Sequence, residues 1–173
     1  MSYLTRETFL KKVEESNSKY WREGKNYRWN YMSYVIDRLK EICPDDSKLI
    51  EAGTSGMPLS DKSFLYEYPE YDLNVAPFKI KFGSTYVDVK NYQFETFVAL
   101  QVWEHLDNQS AAFQEVMRIA KSAILSFPYK WTWGDKRHKG IDGKKIEKWT
   151  CGVVPAEIKI INHRAVYYWR FDR

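Results

Sequence analysis

The chain has 173 residues, of which 44% are hydrophobic and 17% aromatic, so it is long enough for one domain with a sizeable core and is unlike a disordered protein. Its 27 Lys and Arg against 23 Asp and Glu give a net charge of +4, a mild bias that is not typical of a dedicated nucleic-acid binder. No apolar run approaches membrane-spanning length and the first ten residues lack a signal-peptide core, so we expect a soluble cytoplasmic protein.

The predicted elements alternate between helices and strands. The first 47 residues have helical periodicity, which ends at Pro44. Further helices are predicted at Gln109–Ala120, capped by Asn108, and at Lys144–Trp149. Strands are predicted at Lys48–Ala52, Tyr71–Val75, Ser84–Val89, Phe94–Leu100, Ser122–Phe127, Ala156–Ile161 and Ala165–Phe171. The last two are separated only by Asn162-His163-Arg164 and should form an antiparallel hairpin. The pattern predicts an α/β fold with a mostly parallel sheet and a reversed strand near the end.

The stretch from Lys48 to Gly56 is the most informative part of the sequence. An apolar pair runs into Glu51, and the turn Gly53-Thr54-Ser55-Gly56 follows. Glycine permits a positive φ and lets a ligand approach the backbone, and ligands of open α/β sheets bind at the carboxyl ends of strands. We therefore predict a ligand cradle here, although short glycine-rich turns also close ordinary loops.

Two further strand ends carry polar side chains. Asn74 follows Gly53 by 21 positions and, with Asp72, could bind the hydroxyl pair of a ribose; the alternative is a loop-capping residue before a proline. Asp88, followed by Val89, ends the next predicted strand, where a carboxylate could accept a hydrogen bond from an adenine amino group. The alternative for Asp88 is a surface residue at a turn.

The segment Phe94–Asn108 completes a joint pattern. A buried strand runs through Leu100 into Gln101-Val-Trp-Glu104-His105. The order of glycine turn, polar strand end, acidic strand end and Glu-His segment resembles the class I S-adenosylmethionine-dependent methyltransferases, most closely the branch that acts on small molecules and glycans. The resemblance covers roughly residues 48 to 128.

The resemblance implies a Rossmann-like fold and S-adenosylmethionine as cofactor. Its cofactor-binding residues would be Glu51, Gly53, Thr54, Ser55, Gly56, Asp72, Asn74, Asp88, Val89, Leu100 and Gln101, with Tyr27 or Arg28 reaching the amino-acid end. His105, beside Glu104, is the base candidate. The alternatives are that Glu104 and His105 begin a helix, and that the aromatic segment around Tyr27 simply packs on the sheet.

Several positions depart from the family pattern. Ser55 and Met57 stand where the family usually has its second and third glycines, and Asn74 stands where most relatives have an acid. Only six residues separate Pro77 from the next predicted strand, too few for an ordinary crossover helix, so we expect a version of the fold with trimmed crossovers.

The loop after Pro128 is aromatic and cationic. Its Trp131, Trp133, Arg137 and His138 are predicted to bind a sugar-containing or phosphorylated acceptor, because rings stack on sugar faces and cations attract phosphate. The alternative is a solvated basic loop anchored by its tryptophans. Cys43 and Cys151 are far apart and match no metal spacing, so the sequence predicts neither a disulfide framework nor a metal site.

The sequence thus predicts a single methyltransferase-like domain with a helical segment over residues 1–47, a cofactor-binding core over 48–128, and a substrate loop and hairpin over 129–173. The predicted activity is methyl transfer, to oxygen rather than nitrogen, on a small-molecule or glycan-like acceptor. Two alternatives stay open: an inactive cofactor-binding protein on the same scaffold, and an RNA-binding or RNA-modifying protein. No membrane partner is expected, and the sequence does not indicate an oligomeric state.

Overall fold

The computed structural model describes residues 2–172. The α-helices in this part of the chain are α1 (Arg6–Glu15), α2 (Lys19–Ile42), α3 (Gln109–Ile119) and α4 (Gly143–Trp149). The strands are β1 (Leu49–Ala52), β2 (Phe64–Tyr66), β3 (Lys79–Phe82), β4 (Thr85–Asp88), β5 (Phe94–Leu100), β6 (Ala120–Pro128), β7 (Glu157–Ile161) and β8 (Arg164–Arg170). Short 3₁₀ turns precede β1, at Asp46–Lys48, and follow β5, at Trp103–His105.

Six strands form one sheet in the order β2-β1-β5-β6-β8-β7. The first four are parallel neighbours, whereas β8 is antiparallel to both β6 and β7. The predicted α/β class, the mostly parallel sheet and the C-terminal hairpin are therefore confirmed. Since β7 runs in the same direction as β6, the turn between β7 and β8 lies at the edge where the parallel strands end.

Helices cover both faces of this sheet. Successive side chains of a strand point to opposite faces, and the buried residues divide accordingly into two clusters. Leu49, Val98 and Ile124 belong to the cluster with α1 and α2, while Ile50 and Phe97 belong to the cluster with α3 and α4. The helices and the sheet thus form three layers. The helices cover the two faces of the sheet, and the edge at which the parallel strands end is available for a binding site.

The strand predicted at Tyr71–Val75 is wrong. These residues form turns, and the second strand of the sheet is β2, which the sequence reading missed. The physical reason is an Asx turn: the Asp72 carboxylate accepts a hydrogen bond from the Asn74 amide at 2.9 Å, and the Val75 amide donates to the Asp72 carbonyl at 3.2 Å. Such side-chain bonds compete with strand pairing.

The strand predicted at Ser84–Val89 exists as β4, but it lies outside the main sheet. It pairs with β3 in a separate two-stranded hairpin. The hairpin is held to α3, because the Phe78 amide donates to Glu115 at 2.8 Å and the Val89 amide donates to the Phe78 carbonyl at 2.8 Å. After Pro77 the chain therefore forms a short hairpin and no crossover helix, which agrees with the expected trimmed crossovers.

The remaining predicted elements agree with the structure to within a few residues at each end. The Asn108 side chain caps α3 by accepting a hydrogen bond from the Ala111 amide at 3.1 Å. Cys43 is buried and Cys151 exposed, and both are free thiols. A search of the described helices finds none with the length and apolar character needed to cross a membrane.

Candidate active site

A cavity of about 780 Å³ opens where β1 and β5 end. Small-molecule sites typically enclose about 300–1,000 Å³. Four connecting segments form its wall: the turn after β1, the segment after β5, the loop after β6 and the turn between β7 and β8, with side chains of α2 as a roof. A smaller cavity of about 50 Å³ adjoins it between α2 and the turn after β1.

The turn after β1 has the left-handed backbone that its glycines predict. Gly53 and Gly56 have φ of +65° and +78°, and Ser55 has φ of +52° although it carries a side chain. The Ser55 carbonyl accepts a hydrogen bond from the Trp21 indole at 3.1 Å, which ties the turn to α2. Met57 packs into the core and is 4% exposed, so it lines only the smaller cavity. Neither replacement of a family glycine blocks the large cavity.

Glu51 holds the chain that follows this turn. Its carboxylate accepts hydrogen bonds from the Leu59 amide at 2.8 Å, the Ser60 amide at 3.1 Å and the Ser63 hydroxyl at 2.5 Å. Burial raises the pKa of Glu51 to about 7, while these hydrogen bonds lower it. The Glu51 oxygens are thus engaged by the protein itself, and the side chain lines only the smaller cavity.

Glu67 lies beside the turn after β1 and was not singled out from the sequence, and it lines neither cavity. It directly follows β2, and its carboxylate accepts a hydrogen bond from the Thr54 amide at 2.7 Å. An acid in this place, at the end of the strand beside β1, suits a ribose hydroxyl pair. The signal was present in the sequence as a short apolar run, Phe64-Leu65-Tyr66, that ends in an acid 14 positions after Gly53.

The segment after β5 places three polar side chains at the cavity. Gln101 has φ of +59°, and its amide donates to the Ser126 carbonyl at 3.1 Å and to the Ser126 hydroxyl at 3.0 Å. Fully buried Trp103 anchors the next turn in the core. As a consequence, Gln101, Glu104 and His105 all line the cavity.

Glu104, His105 and His138 meet in one cluster. One possible ligand atom from each lies within 4.8 Å of the others. Glu104 is 4% exposed, and neither of its carboxylate oxygens has a hydrogen-bond partner among the described residues. Burial raises the pKa of Glu104 to about 8. The pKa of His105 is lowered by burial and by the positive charges of His138 and Arg137, so its imidazole is favoured in the neutral form.

The separation of Glu104 and His105 excludes a direct hydrogen bond between them. The Glu104 oxygen lies 3.9 Å from Nε2 of His105, longer than such a bond allows. His138 is held differently: its Nδ1 lies 3.0 Å from the Asp135 carboxylate, and its ring stacks on Trp131 with centroids 5.9 Å apart. The alternative hypothesis was that Glu104 and His105 begin a helix. Their backbone does form a single 3₁₀ turn, but both side chains line the cavity.

Two buried guanidinium groups line the cavity, and of the two Arg164 is near enough to Glu104 to act against the rise in the pKa of that carboxyl. Arg28 lies 3.6 Å above the Tyr20 ring centroid and also stacks near Tyr27, and one of its terminal nitrogens donates to the Tyr20 carbonyl. Arg164 stacks on Tyr27 at 4.6 Å and on Trp131 at 5.0 Å. Within residues 2–172 neither guanidinium makes an ion pair, and both Nε atoms are buried without a hydrogen-bond partner. The cavity is therefore suited to a negatively charged group.

The tryptophans of the loop after β6 form an aromatic wall. Trp131 and Trp133 stack with centroids 5.1 Å apart, and the Trp131 indole donates to the His163 carbonyl at 2.6 Å. That bond ties the loop to the β7–β8 turn. Trp133 is 50% exposed, so part of this wall is open to a ligand.

The structure brings most of the predicted residues together. Those that line the large cavity are Tyr27, Arg28, Gly53, Ser55, Gln101, Glu104, His105, Trp131, Trp133 and His138. Glu51, Thr54 and Leu100 line the smaller one. The sequence reading missed Tyr20, Val102, Asn162, His163 and Arg164, which come from a helix face, the segment after β5 and a hairpin turn.

Six predicted residues lie outside both cavities: Gly56, Asp72, Asn74, Asp88, Val89 and Arg137. The Asn74 side chain instead accepts a hydrogen bond from the Asp107 amide at 2.7 Å. Asp88 ends β4 in the separate hairpin, and Val89 is buried beside it. Gly56 supplies a backbone bend, and Arg137 is exposed on the outer side of its loop.

Comparison with known proteins identifies the fold. No protein-family description matches the chain, and no curated sequence matches it. Among solved structures, the magnesium protoporphyrin IX methyltransferase of Synechocystis PCC 6803, crystallised with bound S-adenosylhomocysteine, aligns with a TM-score of 0.56 and 11% identity over 92% of this chain and 91% of that one. An S-adenosylmethionine-dependent methyltransferase of Thermotoga maritima aligns with a TM-score of 0.56 and 11% identity over 89% and 95% of the two chains.

A third structure, an S-adenosylmethionine-dependent methyltransferase of Aquifex aeolicus, aligns with a TM-score of 0.50 and 12% identity over 91% of this chain and 96% of that one. These alignments span nearly the whole length of both partners. The chain therefore has the Rossmann-like fold of the class I methyltransferases, as its sequence pattern predicts.

Proposed function

We propose that this chain binds S-adenosylmethionine at the carboxyl edge of its sheet and transfers the methyl group to an acceptor in the same cavity. The observation that carries the proposal is the 780 Å³ cavity, which has the Gly53–Ser55 turn on one side and the unpaired Arg28 guanidinium on the other. A glycine turn after the first strand and a buried cation suit the two ends of this molecule.

The residues present fit the cofactor. Gly53 and Ser55 line the cavity, and Glu67 beside their turn would accept hydrogen bonds from the ribose hydroxyls. Arg28 would bind the carboxylate of the amino-acid end, since a buried guanidinium without an acidic partner gains most from one. Gln101, held in a left-handed conformation by Ser126, would contribute an amide between these two ends.

The other side of the cavity is proposed to hold the acceptor. Bound S-adenosylmethionine supplies an electrophilic methyl group on a sulfonium sulfur. The protein would orient an acceptor hydroxyl towards it, and the Glu104–His105–His138 cluster would assist loss of the hydroxyl proton. The open Trp131 and Trp133 rings favour a sugar-containing or other small-molecule acceptor, because rings stack on sugar faces.

The proposal is tested by calorimetric titration of the full chain with S-adenosylhomocysteine, with Arg28→Gln as the test variant. Arg22→Gln is the matched control, because Arg22 lies on the same helix and is exposed. The wild type should bind one equivalent. Loss of one charge-assisted contact of about 1.5–3 kcal/mol should weaken binding about 10- to 100-fold in Arg28→Gln.

Thermal unfolding of both variants shows whether either substitution disturbs folding. If the wild type binds neither S-adenosylhomocysteine nor S-adenosylmethionine, the proposed function fails. If Arg22→Gln and Arg28→Gln weaken binding equally, S-adenosylhomocysteine does not bind in this cavity through Arg28. With binding established, transfer of a labelled methyl group to a panel of sugar and small-molecule acceptors tests turnover and separates an enzyme from an inactive cofactor-binding protein.

A further inference from the structure

We infer that Glu104, His105 and His138 form a binding site for one divalent first-row transition ion, such as Zn²⁺ or Mn²⁺, whose open positions face the acceptor side of the cavity. The sequence does not predict this site, because Glu104 and His105 are separated from His138 by more than thirty positions. The inference that an ion binds here depends only on the positions and chemistry of these three side chains. Only the role of the ion towards an acceptor rests on the proposed function.

The distances suit a single ion after small side-chain movements. One atom from each residue lies within 4.8 Å of the others, and the Glu104 oxygen is 3.9 Å from His105 Nε2. Nitrogen and oxygen ligands bind zinc at about 2.0–2.2 Å, so two ligands of one ion lie at most about 4.4 Å apart. Side-chain rotations that move the ligand atoms by a few tenths of an ångström would bring their separations from 4.8 Å to within about 4.4 Å.

The state of Glu104 is a second, independent observation. Its side chain is almost completely buried, and both oxygens lack a hydrogen-bond partner among the described residues. Buried carboxylates are ordinarily hydrogen-bonded, paired or bound to a metal, because an isolated one is costly. A divalent cation between Glu104 and the two imidazoles would satisfy the carboxylate.

Asp135 supports His138 as a ligand. Its carboxylate lies 3.0 Å from His138 Nδ1 and also accepts a hydrogen bond from the Arg137 amide at 2.8 Å, which fixes its own position. A metal-binding histidine commonly donates its other ring N–H to a carboxylate, which orients the ring and makes the ligating nitrogen more basic. Binding of His138 through Nε2 would complete that arrangement.

The ligand set indicates the class of ion. Two imidazoles with one carboxylate favour transition ions such as Zn²⁺ over Mg²⁺ and Ca²⁺, which prefer oxygen ligands. Three protein ligands leave at least one position for a ligand from the cavity, the arrangement of catalytic sites.

An acceptor hydroxyl in that position would have a lowered pKa. With its proton lost to solvent, that oxygen would be the nucleophile for the methyl carbon, and breaking of the carbon–sulfur bond would leave a neutral thioether. His105 then acts through the ion and does not itself take the proton.

The test uses the full chain, freed of metal with a chelator and titrated with Co²⁺ in the absence of cofactor. We expect one equivalent to bind and to produce the visible absorption bands of a nitrogen- and oxygen-ligated cobalt ion. His105→Ala and His138→Ala should each weaken binding on the order of 100-fold or more, since even loss of a supporting residue costs about 10- to 100-fold. Asp135→Asn should weaken it by about 10-fold, because Asp135 only orients His138.

The control is Cys151→Ser, which removes an exposed potential metal ligand that lines neither cavity. It should bind Co²⁺ as the wild type does. Retained S-adenosylhomocysteine binding shows that the His105 and His138 variants are folded, with thermal unfolding as a second check.

The inference is overturned if the wild type binds no equivalent of Co²⁺, or if both histidine variants bind it unchanged. Cobalt binding without cofactor binding would contradict only the proposed function, and cofactor binding without cobalt binding would contradict only the metal site.

Discussion

Val102 packs directly over Gly53, at a distance that leaves no room for a side chain. A Cβ added to Gly53 would lie 2.5 Å from Cγ2 of Val102. This contact joins the turn after β1 to the segment after β5, and both segments line the large cavity. Gly53 is therefore required both for its φ of +65° and for the approach of a neighbouring segment.

Replacement of Gly53 by alanine should be more damaging than the same change at Gly56. Both positions have a positive φ, which costs a non-glycine residue about 1–2 kcal/mol. Only Gly53 adds a clash, worth about 1–3 kcal/mol, because a Cβ at Gly56 would meet nothing within 4 Å among the described residues. Urea denaturation should show the larger fall in the free energy of unfolding for Gly53→Ala.

Removal of the neighbouring side chain should relieve that clash. In the Gly53→Ala background, Val102→Ala is expected to recover about 1–2 kcal/mol, whereas Val102→Ala alone should destabilise the protein by losing buried methyl groups. A double-mutant cycle measured by urea denaturation gives the coupling directly. Strict additivity would contradict the account of why Gly53 has no side chain.

Glu51 should be a stabilising residue even though it is a buried acid. Glu51→Ala leaves the Leu59 and Ser60 amides without their acceptor, and each buried unsatisfied donor costs about 1–3 kcal/mol. Glu51→Gln keeps one acceptor oxygen and should lose less. Equal stability of the alanine variant and the wild type in urea denaturation at pH 7 would show that these hydrogen bonds contribute nothing.

The same residue should make stability depend on pH. Burial raises the pKa of Glu51 from 4.5 to about 7, so between these values the folded protein keeps a proton that the unfolded chain has released. The free energy of unfolding therefore falls as pH rises through this window, by roughly 2–4 kcal/mol from this residue. Because Glu51→Gln lacks the titrating group, its stability curve should be flatter than that of the wild type from pH 4.5 to 7. Parallel curves would refute the assignment.

Glu67 and Asp72 give opposite expectations for cofactor binding. The sequence places the ribose contact at Asp72 and Asn74, whereas the structure places Glu67 beside the Thr54 amide. Glu67→Gln should weaken S-adenosylhomocysteine binding about 10-fold or more, through loss of charge-assisted hydrogen bonds. Asp72→Ala and Glu70→Ala should bind as the wild type does in calorimetry. A larger loss at Asp72 would favour the placement predicted from sequence.

Regular elements with a strong apolar pattern were predictable from sequence. β1, β5 and β6 are rich in apolar residues and mostly buried, and the side chain of Asn108 caps the start of α3. β2 was missed because it is only 3 residues long, too short for periodicity to register. The error at Asp72 arose because an acid in a turn and an acid at a strand end look alike in sequence.

The site could be predicted only where it lies next to a strand end. Gly53 and Gln101 follow strands directly and Glu104 lies four positions beyond the end of β5, so their placement at the carboxyl edge was accessible from sequence. His138 and Arg164 reach the cavity through loop and hairpin geometry, held by contacts such as the bond from Trp131 to the His163 carbonyl. Such tertiary contacts depend on backbone conformations that no local pattern encodes, and for that reason the three-residue cluster was not foreseen.

A crystal structure of the chain with S-adenosylhomocysteine tests the central claim most directly. The account predicts density for the ligand in the large cavity at the carboxyl edge of the sheet, beside the Gly53–Ser55 turn, with its carboxylate at the Arg28 guanidinium and its ribose hydroxyls at Glu67. Ligand bound elsewhere, or a cavity left empty at saturating ligand, would contradict it.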